Sequence, residues 1–447
     1  MQCHCSLHLE APSLRPQGRP LAPPRLWRVW VRHEASPRRR SHGEGRVPHT
    51  VTRDLDVVPV GASLQGRRIL LGVTGGIAAV DTVRVARELR RHGAEVLTVM
   101  TRSAQDVITP LAVRWATDGT VVTGWEGDMA QLDGVDGVLV APATRTTLAA
   151  HVHGLQHGPL LMAMSAARAR GTPLLVVPSM HHDLADDPVT EDLVEAIRAQ
   201  GASVLWGPSE EGRRKTPDHI GMVARLCHLV NAQSPNRKSV AVTLGATASA
   251  IDDVRAVVNT STGKTGWAIA DDLFRHGHDV TCIAGRTTAP QPPWLPLVLP
   301  APSAPLMLEE CRAVAKDGLD AWVHAAAVLD YLVPTAAEGK LASGSEGLHV
   351  DLVPGPKHID ELRDACAGAV RIGFKLETGI PQRELVQRAL AQVERAGMTA
   401  VIANRLEDLG RTDRARAHLV DATGSDFALQ SERDMVDAIR HLIERGA

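Results

Sequence analysis

The chain has 447 residues, too many for one ordinary hydrophobic core, so two domains of roughly 170 to 210 residues are expected. Hydrophobic residues make up 44% and charged residues 22%, a globular balance, and no uninterrupted apolar stretch of about 20 residues is present to span a bilayer, so a soluble protein is expected. The formal net charge of -2 supplies no basic field for nucleic acid, so phosphate-bearing partners must be small ligands held by local groups.

Residues 1 to about 65 carry Pro and Arg, as in LRPQGRPLAPPRL and SPRRRSHGEGR, without a sustained apolar period, and are expected to be disordered. The stretch lacks the apolar core and cleavage pattern of a secretory signal, which leaves a transit peptide, an over-long gene start or a floppy tail as readings. From Gly66 the pattern changes. RRILLGV reads as a buried strand, GGIAA as a tight turn, VRVARELRRHG as an amphipathic helix closed by Gly, and EVLTVM as the next strand, together a βαβ unit. DGVLVAPAT, TPLLVVPSM and SVLWGP continue the series, so this half is a parallel sheet with helices on both faces. NAQSPNRK, residues 231–238, is polar, contains a Pro, and separates the helix GMVARLCHLV from a new strand, SVAVTLG. The alternation restarts with helix TGWAIADDLFRHG and strand DVTCIAG, then adds AWVHAAA, VRIGFKL and TAVIAN as buried strands. The expected fold class is α/β, with two tandem doubly wound, Rossmann-like domains at 66–233 and 239–447 behind the extension 1–65, and ligands beyond the carboxyl ends of the strands.

Cys227, Cys282, Cys311 and Cys366 lack disulfide or zinc spacing and read as small buried apolar residues in a reducing compartment, which makes the expected location cytoplasmic. His324 and Trp267 read as packed core residues, and RTDRAR as a solvated turn.

The turn Gly72-Val73-Thr74-Gly75-Gly76-Ile77 follows a strand and opens a helix, a place where backbone N–H groups hold an anion. It lacks the GxGxxG spacing and an acidic ribose partner about 20 residues on, which opposes a nicotinamide oxidoreductase; a glycine needed only for close helix packing is the plain alternative. VMTRSAQDVITP and VLVAPAT accompany the turn, each at the end of an expected strand. Together these segments resemble the phosphopantothenoylcysteine decarboxylase flavoproteins, from about Gly66 to Gln233. The resemblance implies an FMN-type domain in which Gly75, Gly76, Ile77, Thr101, Ser103, Ala141, Pro142, Ala143 and Thr144 contact the flavin. It also implies a catalytic His before the APAT strand, but an ungapped count puts Asp128 there and GWEGDMAQLDGVDG contains no His. The family's PAMN motif reads Pro178-Ser179-Met180-His181, a form similar to the archaeal-type branch that assigns the substrate carboxylate to His181. No Cys lies between His181 and Cys227, where bacterial members carry a lid Cys, and the family's GxADN reads Gly154-Leu155-Gln156-His157-Gly158. FMN-dependent decarboxylation and a regulatory or binding flavoprotein without that activity both stay open on this half.

In the second half, VTLGATASAIDDVRAVVNTSTGKTG resembles the phosphopantothenate-cysteine ligase signature TAGxTxExIDPVRxISNxSSGxMG, keeping Thr243, Gly245, Thr247, Asp252, Arg255, Asn259, Ser261, Gly263, Lys264 and Gly266. Gly263 at a helix entrance with hydroxyls beside it suits a triphosphate. HAAAVLDYLVPTAAEGKLAS is similar to the family's AAVADY followed by a short mobile segment with a catalytic Lys, which maps to Lys340. IGFKLET and VIANRL follow, the latter with Arg405 in place of the family's Asp. The resemblance implies CTP-dependent ligation of 4′-phosphopantothenate with cysteine through an acyl-cytidylate. Lys340 would supply the cation, Asn259 would hold the acyl-cytidylate carbonyl, and Gly245, Thr247, Ser261, Gly263, Asp330, Phe374, Lys375 and Asn404 would surround the nucleotide. A divalent ion, Mg2+ with ligands unassigned, is required where a carboxylate approaches a polyanion. The family's flavin domains trimerise and its ligase domains dimerise, so a homo-oligomer is expected. Singly, Asn259 reads as a helix cap, Asp330 as a strand end and Lys340 as a solvated loop lysine. Their joint order over about 190 residues carries the assignment.

Overall fold

In RILLGV every residue after the first is buried, as expected of a strand covered on both faces. The computed structural model describes residues 53–125, 133–210, 213–214, 216–342 and 348–446. Its first sheet contains β1 (Arg68–Val73), β2 (Glu95–Met100), β3 (Val121–Val122), β4 (Gly137–Ala143), β5 (Leu174–Pro178) and β6 (Ser203–Val204), all parallel, in the order β3-β2-β1-β4-β5-β6. The order reverses between β1 and β4, which opens a ligand crevice above their carboxyl ends. The helices are α1 (Thr82–Arg91), α2 (Pro110–Thr117), α3 (Arg145–Val152), α4 (Pro159–Arg170), α5 (His182–Ala185), α6 (Pro188–Ala199) and α7 (His219–Asn231). Apolar residues of α1, α2 and α7 pack with Ile69, Leu71 and Val73, whereas those of α3, α4 and α6 pack with Leu70. SVLWGP gives only a two-residue edge strand, whose last bond to β5 is the one Leu205 N–H donates to the carbonyl of Val176. A short antiparallel pair, β7 (Ser209–Glu210) and β8 (Arg213–Arg214), precedes α7.

The second sheet begins with β9 (Ser239–Leu244) and sends out a two-stranded arm, β10 (Ala248–Ala250) with β11 (Ala256–Val258). It continues with α8 (Lys264–Arg275), β12 (Asp279–Ala284), β13 (Leu297–Pro300), α9 (Ala304–Ala315) and β14 (Ala321–His324). A second arm pairs β15 (Tyr331–Leu332) with β16 (Val353–Pro354). The chain then forms α10 (His358–Glu361), β17 (Val370–Glu377), α11 (Gln382–Ala396), β18 (Ala400–Arg405), β19 (Ala417–Asp421), β20 (Asp426–Leu429) and α12 (Glu432–Arg445). The order is β13-β12-β9-β14-β17-β18-β19-β20, parallel through β18, with β19 and β20 added antiparallel at one edge. α8 and α12 cover one face, α9 and α11 the other. Both halves are therefore doubly wound α/β layers, as expected, and the antiparallel edge is an addition.

The four cysteines are buried, and burial pushes the thiols of Cys282 and Cys311 up to about 12. Trp267 is buried, and His324 stacks on Trp322 with burial, helped by Arg371 and His358, pushing it down to about 3. Among the described residues no helix is long and apolar enough to cross a membrane.

Residues 53–65, expected as the end of a disordered extension, are packed. Leu64 is fully buried, the N–H groups of Val60 and Gly61 donate to the carbonyl of Arg91, and the guanidinium of Arg90 donates to the carbonyl of Leu55. The apolar content that the extension lacks overall is concentrated in this short stretch. Residues 1–52 lie outside the described residues.

The two sheets meet through α7 and α8. Ala224 of α7 joins the second core, His228 stacks on Phe274 at 4.2 Å, and the side-chain amide of Asn231 donates to the carbonyls of Ser63 and Arg275. A buried polar chain runs beside this contact. Nε of Arg275 lies 3.0 Å from the Asp271 carboxylate, its Nη1 lies 3.3 Å from His92 Nε2, and His92 lies 3.5 Å from Glu88. Burial disfavours ionised Glu88, but His92 and Arg91 outweigh it and hold the carboxyl at about 2. A depressed carboxyl adds stability that is complete above its unfolded value near 4.5 and is lost as the pH falls toward about 2. The melting-temperature gap between wild type and Glu88→Gln should therefore shrink across that window; a gap constant with pH would contradict the assignment.

Candidate active sites

At the first sheet, four strand-end loops converge. A Cβ added to Gly75 would stand 2.4 Å from the hydroxyl of Ser103, and one on Gly76 would lie 3.6 Å from both Pro142 and the carbonyl of Ser179. The loops after β1 and β2 thus approach closely because Gly75 has no side chain, whereas a Cβ on Gly76 would stand at ordinary contact distance from the loops after β4 and β5. Thr74 ties two of them: its hydroxyl donates to the carbonyl of Pro142 at 2.8 Å and accepts the N–H of Thr144 at 2.9 Å. Ser179 N–H donates to the carbonyl of Ala143. Thr101 caps the following turn by accepting the N–H of Ala104, and its hydroxyl lies 3.3 Å from that of Ser103. Ile77 is exposed, and Thr144 half-exposed. Ala141, Pro142 and Ala143 are buried, so they form the floor of the crevice rather than its lining. His181 caps α5 and is exposed, with Nδ1 3.1 Å from the carboxylate of Asp183; Asp183 also lies 2.9 Å from His182. Asp128, the residue at the family's His position, lies outside the described residues.

At the second sheet, Gly245 (φ 77) and Gly263 (φ 76) meet beneath Thr287. A Cβ on Gly245 would stand 2.7 Å from the carbonyl of Arg286, and one on Gly263 would stand 2.5 Å from the methyl of Thr287. Above them, the hydroxyls of Ser261 and Thr262 accept the N–H groups of Gly263 and Lys264 in long contacts of 3.4 and 3.3 Å at the entrance of α8. These weak caps leave the positive end of the helix open to a competing anion. Thr247, a nucleotide-site residue by resemblance, is instead fully buried, its hydroxyl accepting the N–H of Leu329 at 2.9 Å. It holds the β14 exit in place and presents nothing to a ligand. Asn259 donates both amide protons, to the carbonyls of Ala327 at 3.2 Å and Val328 at 3.0 Å, so its donors are already engaged. Asp330 is exposed, with Lys357 Nζ 4.0 Å from its carboxylate. Phe374 packs on the core, Lys375 pairs with Glu377 at 3.0 Å, and Asn404 is half-buried on the neighbouring strand, whose Arg405 pairs with Asp408. All of them lie at the carboxyl edge of β9, β14, β17 and β18. Lys340 is exposed, and its segment, expected to be mobile, is tied down on both sides: Gly339 exchanges two hydrogen bonds with Asp253, and Leu341 N–H donates to Asp252.

Two protein families match this chain: the Flavoprotein family over residues 58–266, and the DNA/pantothenate metabolism flavoprotein C-terminal domain over residues 236–445. The coenzyme A biosynthesis bifunctional protein CoaBC of Thermococcus kodakarensis is 35% identical over 394 residues, covering 86% of this chain and 96% of that protein. The chain belongs to the coenzyme A biosynthesis bifunctional CoaBC family. The CoaBC protein of Mycolicibacterium smegmatis is 32% identical over 399 residues, covering 81% of this chain and 93% of that protein. A crystal structure of the C-terminal domain of a CoaBC protein matches with 22% identity and a TM-score of 0.39, covering 48% of this chain and 97% of the other.

For a CoaBC chain, sequence reasoning missed Thr74, Thr287 and Lys357. The first two act by joining loops far apart in sequence, which no local motif records, and Lys357 sits in a short polar stretch like many solvated lysines. Asn259 gives a direct check on the second site. Asn259→Asp would set a carboxylate against the Ala327 and Val328 carbonyls and cost about 1–3 kcal/mol at neutral pH. Because the two carbonyls raise the folded carboxyl above its unfolded value near 4, urea unfolding should show the loss easing as the pH falls toward about 4, where a protonated carboxyl donates again; a loss independent of pH would contradict this contact.

Proposed function

We propose that this CoaBC-family enzyme joins 4′-phosphopantothenate to cysteine with CTP in its second domain, residues 239–447, and decarboxylates the product in its first, with both steps in the cytoplasm. The observation that carries the ligase reading is the α8 entrance, where Ser261, Thr262 and the first N–H groups of the helix face outward above the Gly245–Gly263 contact. That arrangement suits the phosphates of CTP. An oxygen of the phosphopantothenate carboxylate attacks the α-phosphorus and the bond to pyrophosphate breaks. The cysteine amine then attacks the acyl carbon, loses a proton, and CMP leaves.

Lys340 is proposed to stabilise the charge that develops on the phosphates, and Asn259 to hold the Ala327–Val328 strand end that frames the acyl group, exchanging one of its two backbone bonds when it donates to the acyl carbonyl. Phe374, Lys375 and Asn404 would border the cytosine. Asp330 is an exposed carboxylate at this edge, and Mg2+ commonly takes one or two carboxylates together with substrate phosphates, so the donor set fits that ion. Mg2+ would neutralise phosphate charge there.

In the first domain, the side-chain-free cradle at Gly75 and Gly76, walled by Ser103, Pro142 and Ser179, fits a flat ring and a phosphate and supports FMN as the cofactor. FMN when bound supplies the redox chemistry of decarboxylation. The chain's own part is to hold the phosphate at Gly75, Gly76, Thr101 and Ser103 and to orient the substrate carboxylate with His181. Exposed apolar residues on both domains, among them Ile77, Leu111 and Val254, support a homo-oligomer.

Purified protein given 4′-phosphopantothenate, cysteine and CTP should release CMP only when all three are present, and Lys340→Gln should lower turnover while leaving the fold and CTP binding intact. Equal turnover with ATP, or wild-type turnover in the variant, would overturn the nucleotide assignment or the lysine's role respectively.

A further inference from the structure

The turn at residues 251–255, between β10 and β11, is organised by one carboxylate whose side chain is fully shielded from solvent. Oδ1 of Asp252 accepts the N–H groups of Val254 at 2.8 Å and Arg255 at 2.7 Å and so closes the turn. Oδ2 has no part in the turn backbone. It accepts the N–H of Leu341 at 3.1 Å and Nη1 of Arg255 at 2.8 Å, and the same Nη1 donates to the carbonyl of Leu341 at 3.2 Å. Both peptide groups of Leu341 are therefore held.

Across Lys340, Gly339 is held the same way. Its N–H donates to Oδ2 of Asp253 at 3.1 Å and its carbonyl accepts the N–H of Asp253 at 3.2 Å, while Ala337 N–H donates to the carbonyl of Ile251 at 2.9 Å. Lys340 is thus an exposed side chain on a backbone pinned at both neighbours. Burial opposes ionisation of Asp252, but the N–H groups of Val254, Arg255 and Leu341 and the charge of Arg255 outweigh it and keep the carboxyl below the usual carboxylate range.

We propose that Asp252 is a positioning residue: through Oδ2 it fixes the backbone from which Lys340 reaches the reacting phosphates, with Asp253 fixing the other flank. The inference rests on the proposed role of Lys340. A misplacement of about 1 Å can cost on the order of 100-fold in rate, and a lysine side chain delivered from a fixed backbone starts from a far smaller set of positions than one on a free loop. The carboxylate divides the labour: Oδ1 serves the turn, Oδ2 the lysine segment.

Asp252→Asn separates the two halves. The amide oxygen keeps the two turn N–H groups, and the NH2 group then faces two other donors, Leu341 N–H and Arg255. In the full-length protein, hydrogen exchange should rise at Leu341 while residues 254 and 255 stay protected. Acyl-cytidylate formation should fall on the order of 100-fold with CTP affinity within about twofold of wild type. The double variant Asp252→Asn/Lys340→Gln should be no slower than Lys340→Gln alone, because the loss acts through the lysine. Exchange unchanged at Leu341, or losses that multiply in the double variant, would overturn the proposal. Asp253→Ala, at an exposed residue, should raise exchange at Gly339 and leave Leu341 protected; no change at Gly339 would also count against the clamp. If wild type makes no acyl-cytidylate, the ligase reading fails, whereas the exchange measurements still decide whether Asp252 holds the segment.

Discussion

The second site hangs from one close approach. Gly245, at the end of β9, takes a left-handed conformation and lies against Gly263 and the Arg286–Thr287 backbone, where a Cβ would stand 2.7 Å from a carbonyl oxygen. Three strand-end loops and the entrance of α8 pack on that point. A parallel strand buried on both faces must hand its last backbone groups to its neighbours, and here the bridges of Ala246 to Arg286 and to Ala327 do so. With the backbone satisfied from below, the hydroxyls of Ser261 and Thr262 and the helix entrance are left to face a ligand.

The same logic of satisfied burial governs the junction of the two halves. Arg275, His92 and Glu88 are removed from water together beside the half-buried Asp271, and each finds a partner, with Trp294 donating to Asp271 at 2.6 Å and Arg275 lying over its ring. A buried charge network adds little stability over an apolar contact of the same shape, but breaking one member is costly, so it favours a single arrangement of α7 against α8. Gly277 makes that arrangement reachable, since a Cβ there would collide with the backbone of Asn231.

Much of this was legible in the sequence because it is periodic or local. RILLGV, EVLTVM, SVAVTL and VRIGFKLE read as buried parallel strands, and Gly263 read as a helix entrance. The layered α/β architecture followed from the alternation, and the family from four separated motifs. The antiparallel β19 and β20 were not anticipated, because a short turn joins them in place of the helix that marks each parallel crossover. Leu64 was misplaced in the extension because the apolar residues of 55–64 are interrupted by Pro59 and Gly61 and keep no period. At the site, residue identity indicated chemistry but not exposure. Thr247 matches the signature yet faces inward to Leu329, and Ala143 lies beneath the crevice it was expected to line. The pinning of Lys340 was invisible for a different reason: Asp252 and Leu341 are 89 residues apart in sequence, and only the fold brings them together.

The central claim, that this chain activates a carboxylate by transferring it to the α-phosphorus of CTP, is tested most directly by following oxygen. Phosphopantothenate labelled with oxygen-18 in its carboxylate should deliver one labelled oxygen to CMP during ligation with cysteine, because that oxygen forms the acyl-cytidylate bond and leaves with the nucleotide. Label in pyrophosphate or inorganic phosphate, with unlabelled CMP, would contradict the account.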